Sequence, residues 1–146
     1  MKPEFNYVTF IDAPRKKVWQ ALTDPAFTKN YWFNTEVQSD WKVGSKVSYV
    51  LKDGVAAVSG EVVKIDEPNE LVYTFQAHAH EEAKDEVTTV QFLLEKAGET
   101  TKLSVRHYDF EEGTKLLESI SNGWPLILSG LKTYLESDKV LKTSDE

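Results

Sequence analysis

The chain has 146 residues and a mass of 16.6 kDa, the size of one domain able to bury a sizeable core without staples. Its formal charge of −7 argues against nucleic acid as a partner, which would need a basic face, and the absence of cysteine excludes disulfides, thiolate metal sites and a Cys nucleophile. No apolar run approaches a membrane span and Met1–Glu4 lacks a signal core, so a cytoplasmic protein without membrane insertion is expected.

Phe5–Ile11, rich in β-branched and aromatic residues, predicts a strand. Asp12-Ala13-Pro14 ends it and opens a short helix carrying Val18, Ala21 and Leu22 on one face, with Asp12 as the expected cap. Arg15, Lys16 and Lys17 at its start read as a solvated basic face in preference to an anion contact. Asp24-Pro25 repeats the punctuation, and a second short helix is expected over Ala26–Tyr31.

Val37 to Asp109 reads as β structure. Val47, Tyr49 and Leu51 alternate with polar residues, and Asp53-Gly54 marks a hairpin. Val55–Ile65 is a long strand, Asp66–Glu70 a turn, and Leu71, Tyr73 and Phe75 share one strand face. Ala77–Asp85 is a charged, His-containing loop or a frayed strand end, Val87–Glu95 a strand, Ala97–Glu99 a turn, and Leu103, Val105 and His107 are in phase on the next strand. Strands joined by short turns predict an antiparallel meander. Leu117, Ile120, Trp124, Ile127, Leu131 and Tyr134 then form the apolar stripe of a long helix. Pro125 after Asn122-Gly123 suggests a short helix from about Thr114, a break near Gly123, and a main helix to about Glu136. A single domain over 1–138 and a loose polar tail over 139–146 complete the reading.

The fold class is therefore α+β: a curled antiparallel sheet of about six or seven strands, two short helices after the first strand, and one long C-terminal helix as its cover. One helix cannot fill so wide a concave face, so a cavity lined by inward aromatics is expected. The four Trp, six Tyr and seven Phe, 12% of the chain, are enough to build either a dense core or a pocket. The candidate ligand-binding residues are Trp32, Phe33, Tyr49, Tyr73, Phe75, Phe92, His107, Trp124, Ile127 and Leu131. For His107 two readings stand: a polar group that orients or activates a ligand, and a buried histidine satisfied by its neighbours. His78-x-His80 would share a face on an extended strand, but no third ligand is fixed beside them, so neither a metal nor another cofactor is assigned. No nucleophile elbow, phosphate loop or dinucleotide fingerprint occurs, and Glu81/Glu82 and Glu111/Glu112 read as surface charge.

Four segments, in order, carry a family resemblance over roughly residues 5–137. They are Ile11-Asp12-Ala13-Pro14 with Val18-Trp19-Gln20-Ala21-Leu22-Thr23-Asp24-Pro25; Tyr31-Trp32-Phe33; Gly60-Glu61-Val62 running to Leu71-Val72-Tyr73-Thr74-Phe75; and Gly123-Trp124-Pro125 with Leu128, Leu131-Lys132 and Tyr134-Leu135-Glu136. Together they resemble the START-like (SRPBCC) superfamily, and within it the group of homologues of the C-terminal domain of the activator of heat shock protein 90 ATPase. The resemblance implies a helix-grip fold like that of the Bet v proteins, with a hydrophobic cavity between sheet and C-terminal helix. It implies binding of a lipid, sterol or polyketide-like molecule there. Alternatives are a heat shock protein 90 chaperone cofactor, or a cyclase or hydrolase using the same cavity. Two positions depart from the pattern: Val43-Gly44-Ser45 has one glycine where two are usual, and Tyr108-Asp109 replace the small residues that usually follow the histidine. The N-terminal domain of the eukaryotic co-chaperones has no counterpart in the sequence, which lowers the expectation of a chaperone partner.

Overall fold

The computed structural model describes residues 2–142. In chain order the elements are β1 (Phe5–Ile11), α1 (Arg15–Thr23), α2 (Pro25–Tyr31), β2 (Glu36–Ser39), β3 (Lys46–Val50), β4 (Ala56–Asp66), β5 (Glu70–Ala77), a 3-10 turn (Glu81–Ala83), β6 (Val87–Ala97), β7 (Thr100–Tyr108) and α3 (Lys115–Ser137). The strands form one antiparallel sheet in the order β1-β7-β6-β5-β4-β3-β2, curled around α3. Each hairpin from β2 to β7 joins sheet neighbours, and only β1 is carried to the far side, by the α1–α2 excursion.

Strand phase sets the core. Leu71, Tyr73 and Phe75 of β5, Val90, Phe92 and Leu94 of β6, and Leu103, Val105 and His107 of β7 all turn inward and are buried. Register shifts at Tyr49/Val50 and Val62/Lys64 bend the sheet, because an extra residue on one strand increases its local twist. At the β4–β5 contact Gly60 is obligatory: a Cβ built there would overlap the Thr74 carbonyl. Gly60→Ala is therefore expected to destabilise the fold by at least about 2 kcal/mol, since backbone has to move to admit the methyl. Urea unfolding measures this, and a midpoint equal to the parent's would refute the close approach.

The helix caps follow the sequence expectation in one place and depart from it in another. Asp24 caps α2 by accepting the Ala26 N–H at 2.9 Å, with Pro25 in the first turn, but Asp12 does not cap α1; its N–H donates to Glu136 of α3 at 2.8 Å. The N-cap of α1 is Pro14, which has no side-chain acceptor to offer. Arg15 donates to the side chain of Asn69 and Lys17 lies over the Phe27 ring, 5.0 Å from its centroid.

The break expected near Gly123 does not occur: α3 runs unbroken from Lys115 to Ser137 with Pro125 inside it. A proline inside a helix costs about 3 kcal/mol, through one lost hydrogen bond and a ring clash. The stripe on both sides outweighs it, because Leu116, Ile120, Trp124, Ile127, Leu128 and Leu131 are all buried against the sheet and each such side chain contributes roughly 1.5–3 kcal/mol. Two α3 side chains also cover the end of the β1 edge. Lys132 donates to the Phe10 carbonyl at 2.7 Å and to Glu136 at 2.7 Å, while Glu136 accepts from Asp12. The Lys132 hydrogen bond, with that of Asp12 second, holds the Glu136 carboxyl below the usual range.

Of the expected tail, Lys139–Lys142 carry no regular structure, and Val140 and Leu141 are 51% and 39% exposed. Residues 143–146 lie outside the described residues. No helix among the described residues is long and apolar enough to cross a membrane.

Candidate functional site

The turn after α2 builds one wall of the site. Thr35 donates through Oγ1 to the Trp32 carbonyl at 2.6 Å, and Thr28 Oγ1 donates to the Thr35 carbonyl while accepting the Val37 N–H, both at 3.0 Å. These bonds hold Phe33 (φ 47°) and Asn34 (φ 59°) in the left-handed region, which is uncommon for a bulky residue such as Phe33 and needs surrounding structure to sustain it. Trp32 is thereby turned inward, 3% exposed, and Phe33 outward, 50% exposed.

Between this turn, the β4–β5 hairpin and α3 lies an apolar cleft of about 340 Å3, open to solvent. Trp32, Phe33, Phe75, Trp124 and Ile127 line it, joined by Val58, Ile120 and Leu126 and, at the mouth, by Ser119, Asn122 and Gly123. Its volume lies at the lower end of the roughly 300–1,000 Å3 typical of small-molecule sites. Five of the ten candidate residues meet here. The other five, Tyr49, Tyr73, Phe92, His107 and Leu131, are buried behind the wall and do not reach it.

Ring packing accounts for that division. Trp32 stacks on Tyr49 at 4.1 Å between centroids and meets Trp124 edge-on at 5.2 Å. Phe92 meets Trp124 at 5.8 Å, Tyr73 meets Phe92 at 5.9 Å, and Tyr49 meets Tyr73 at 6.3 Å. The aromatics thus fill the space between sheet and helix, and the cleft is what remains at one end. The hydroxyls of Tyr49 and Tyr73 hydrogen-bond each other at 2.6 Å, and burial raises both phenols far above the ordinary tyrosine range, so both stay protonated.

His107 is fully buried and both ring nitrogens are engaged. Trp124 Nε1–H donates to Nδ1 at 3.0 Å, and Nε2 lies 2.7 Å from Thr88 Oγ1, which donates to the Phe75 carbonyl at 3.1 Å. Because indole nitrogen is only a donor, Nδ1 must be bare and Nε2 must carry the proton. Desolvation lowers the pKa of this imidazole to about 3, so it is neutral. Of the two readings of His107, the geometry matches the satisfied, buried one. The chain Trp124–His107–Thr88–Phe75 joins the indole and the strand that form the cleft wall.

Among the described residues, no Asp, Glu, Lys, Arg, His or Tyr lines the cleft, so these residues offer apolar contact and the polar groups of Ser119 and Asn122, but no proton donor or acceptor of tunable pKa. The lining residues outside the ten candidates are Val58, Ser119, Ile120, Asn122, Gly123 and Leu126. Ile120 is part of the stripe and carries a signal; Ser119, Asn122, Gly123 and Leu126 flank the stripe and Val58 lies on β4, so only the packing of α3 against the β4–β5 hairpin shows that they border a cleft. His78 and His80 lie beyond the end of β5 instead of on a strand; His78 pairs with Ser59 at 2.6 Å, and Nδ1 of His80 has no hydrogen-bond partner among the described residues.

Solved structures share this architecture. A protein from Cytophaga hutchinsonii is 27% identical, with a TM-score of 0.75 over 94% of this chain and 97% of its own. An Aha1 from Colwellia psychrerythraea, determined as a dimer, is 24% identical, with a TM-score of 0.76 over 94% of this chain and 98% of its own. An HSP90 activator from Plasmodium falciparum is 23% identical, with a TM-score of 0.74 over 90% of this chain and 95% of its own. No curated protein matches the sequence. The family described as Activator of Hsp90 ATPase homolog 1-like protein matches residues 12–136, nearly the whole folded chain from the end of β1 to the end of α3, and the chain belongs to that family.

Proposed function

We propose that this protein binds a small uncharged apolar molecule, lipid, sterol or polyketide-like, in the cleft between α3 and the β4–β5 hairpin, as a single domain over 1–138 acting in the cytoplasm. The observation that supports this reading is the cleft wall itself: Trp32, Phe75 and Trp124 present ring surface with no ionisable group among the lining residues. A charged ligand would leave its charge unpaired there, at high desolvation cost. Planar rings or a short acyl chain would gain contact with the indoles at no such cost.

Thermal-shift measurements against a panel of lipids, sterols and polyketides test it. A ligand present at 100 times its Kd stabilises the folded state by about 2.7 kcal/mol, a shift of several degrees for a chain of this size. A panel in which no apolar compound shifts Tm would defeat the reading. A variant refines the test. Gly123 sits at the cleft mouth with nothing within 4 Å of a built Cβ. Gly123→Leu should keep or raise helix stability, since glycine costs about 1 kcal/mol in a helix, while its side chain fills the mouth and weakens binding about tenfold or more. Fluorescence titration reads the affinity and urea unfolding the stability.

Family membership supports a second reading, a cofactor of a heat shock protein 90 chaperone. The structure from Plasmodium falciparum carries that activity in its name. Co-purification with the chaperone and a rise in its ATPase rate on adding this protein are the expected results, and an unchanged rate would remove this reading. Catalysis at the cleft draws no support from His107, which is sealed behind Trp124 with both nitrogens engaged.

A further inference from the structure

Beside the cleft lies a second, smaller groove of about 120 Å3, and the chain's own C-terminal segment forms one side of it. Asp138 closes α3 in the left-handed conformation (φ 59°), its N–H donating to the Tyr134 carbonyl at 2.9 Å, and the Lys139 N–H donates to Ser137 Oγ at 3.4 Å. This hydrogen-bonded reversal is a common helix end. It returns Val140 and Leu141 along α3 to Leu126 and Gly130, where they face Tyr31 and Phe33.

Three observations link this groove to the cleft. Phe33 and Leu126 belong to both, so they form the partition between them. Phe33 is held at positive φ and stays half exposed, the conformation of a residue presented outward by its turn. Val140 and Leu141, at 51% and 39% exposure, rest on the far side of that partition without being locked into the core.

Building on the cleft reading above, we propose that Val140 and Leu141 act as a strap that sets the length of ligand the cleft accepts. A short or compact molecule fits the cleft and leaves the strap in place. A long-chain molecule has to continue past Phe33 and Leu126 into the groove, and there it competes with the strap for the same apolar surface. The strap is a weak competitor, because both side chains remain partly in water. Its displacement therefore lowers affinity for long ligands without abolishing it.

The test uses the full chain carrying the double substitution Val140→Ser, Leu141→Ser. Both positions are exposed and outside the helix, so the fold is retained, which circular dichroism and Tm check. Two probes are titrated against parent and variant: N-phenyl-1-naphthylamine, sized for the cleft, and hexadecanol, which exceeds it, read by displacement of the naphthylamine. The expected result is unchanged naphthylamine affinity and about tenfold tighter hexadecanol binding in the variant, the scale set by releasing two half-buried aliphatic side chains. Equal hexadecanol affinity in the two proteins overturns the strap and leaves the cleft reading standing. So does a parallel rise for both probes, which would mean only a looser cleft. Binding of neither probe to either protein overturns the cleft reading and the strap with it.

Discussion

Trp124→Ala is expected to lower the stability of the folded state by about 3–5 kcal/mol, the range for removing a large buried ring from a core. Trp124 is 2% exposed and touches Trp32, Phe75 and Phe92 as well as His107. Its loss removes ring contacts from the cleft wall and leaves His107 Nδ1 with no donor in a dry site. Trp124→Phe separates the two contributions. It keeps most of the ring surface but removes the N–H, so it should cost about 1–3 kcal/mol, the penalty of one buried unsatisfied acceptor. Urea unfolding of the two variants measures both. A Phe variant as destabilised as the Ala variant would mean that the hydrogen bond, and not the ring, dominates. Ligand affinity should fall in both, more in Ala, because the indole is also cleft wall.

Acid should act through His107 before it acts through the carboxylates. The folded-state pKa of His107 is lowered to about 3 by burial, against 6.5 for the exposed side chain. Between those values the unfolded chain holds a proton on this imidazole that the folded chain does not. Stability is therefore complete above pH 6.5, falls as pH drops, and stops falling from this cause below about 3. The slope is close to 1.4 kcal/mol per pH unit for one proton, or roughly 2–3 kcal/mol lost between pH 6.5 and 4.5. Glu4, Glu70 and Glu136, whose pKa values are lowered chiefly by hydrogen bonds from Arg106, Lys64 and Lys132, add their losses as pH falls below the ordinary carboxylate range. The window from 6.5 to 4.5 thus belongs to the histidine. His107→Gln, whose amide can accept from Trp124 and donate to Thr88, should be less stable at neutral pH but nearly flat across that window. A parent profile as flat as the variant's would show that His107 takes up its proton in the folded state.

Glu86 shows how a charged residue escapes a sequence reading. It follows Glu81, Glu82 and Asp85 in what looks like a solvated acidic run, yet it is 7% exposed. Its carboxylate accepts the Glu111 N–H at 2.9 Å and the Thr114 hydroxyl at 2.5 Å, tying the start of β6 to the loop that leads into α3. Thr114 in turn caps α3 by accepting the Leu116 N–H at 3.1 Å. The partners lie 25 and 28 positions away, so no local pattern points to them.

The amino-acid order by itself determined the strands, the two short helices, the order of the elements and the inward face of β5, β6 and β7. Alternation in Leu71–Phe75 and Leu103–His107, the 3–4 spacing of Leu117–Tyr134 and the turn chemistry of Asp24-Pro25 and Asp53-Gly54 are local, and local backbone geometry makes them legible. Tertiary structure decided what no period encodes. Helix α3 passes through Pro125 because burial on both sides of the proline outweighs its cost, a comparison that needs the sheet in place. The aromatics that strand phase turned inward pack against one another, so half of the expected site became wall filling and the opening shrank to one end. His107 is neutral and satisfied because Trp124 and Thr88 arrive from other elements. Val140 and Leu141 border the groove beside Leu126 and Gly130 because a left-handed Asp138 turns the chain at the end of α3.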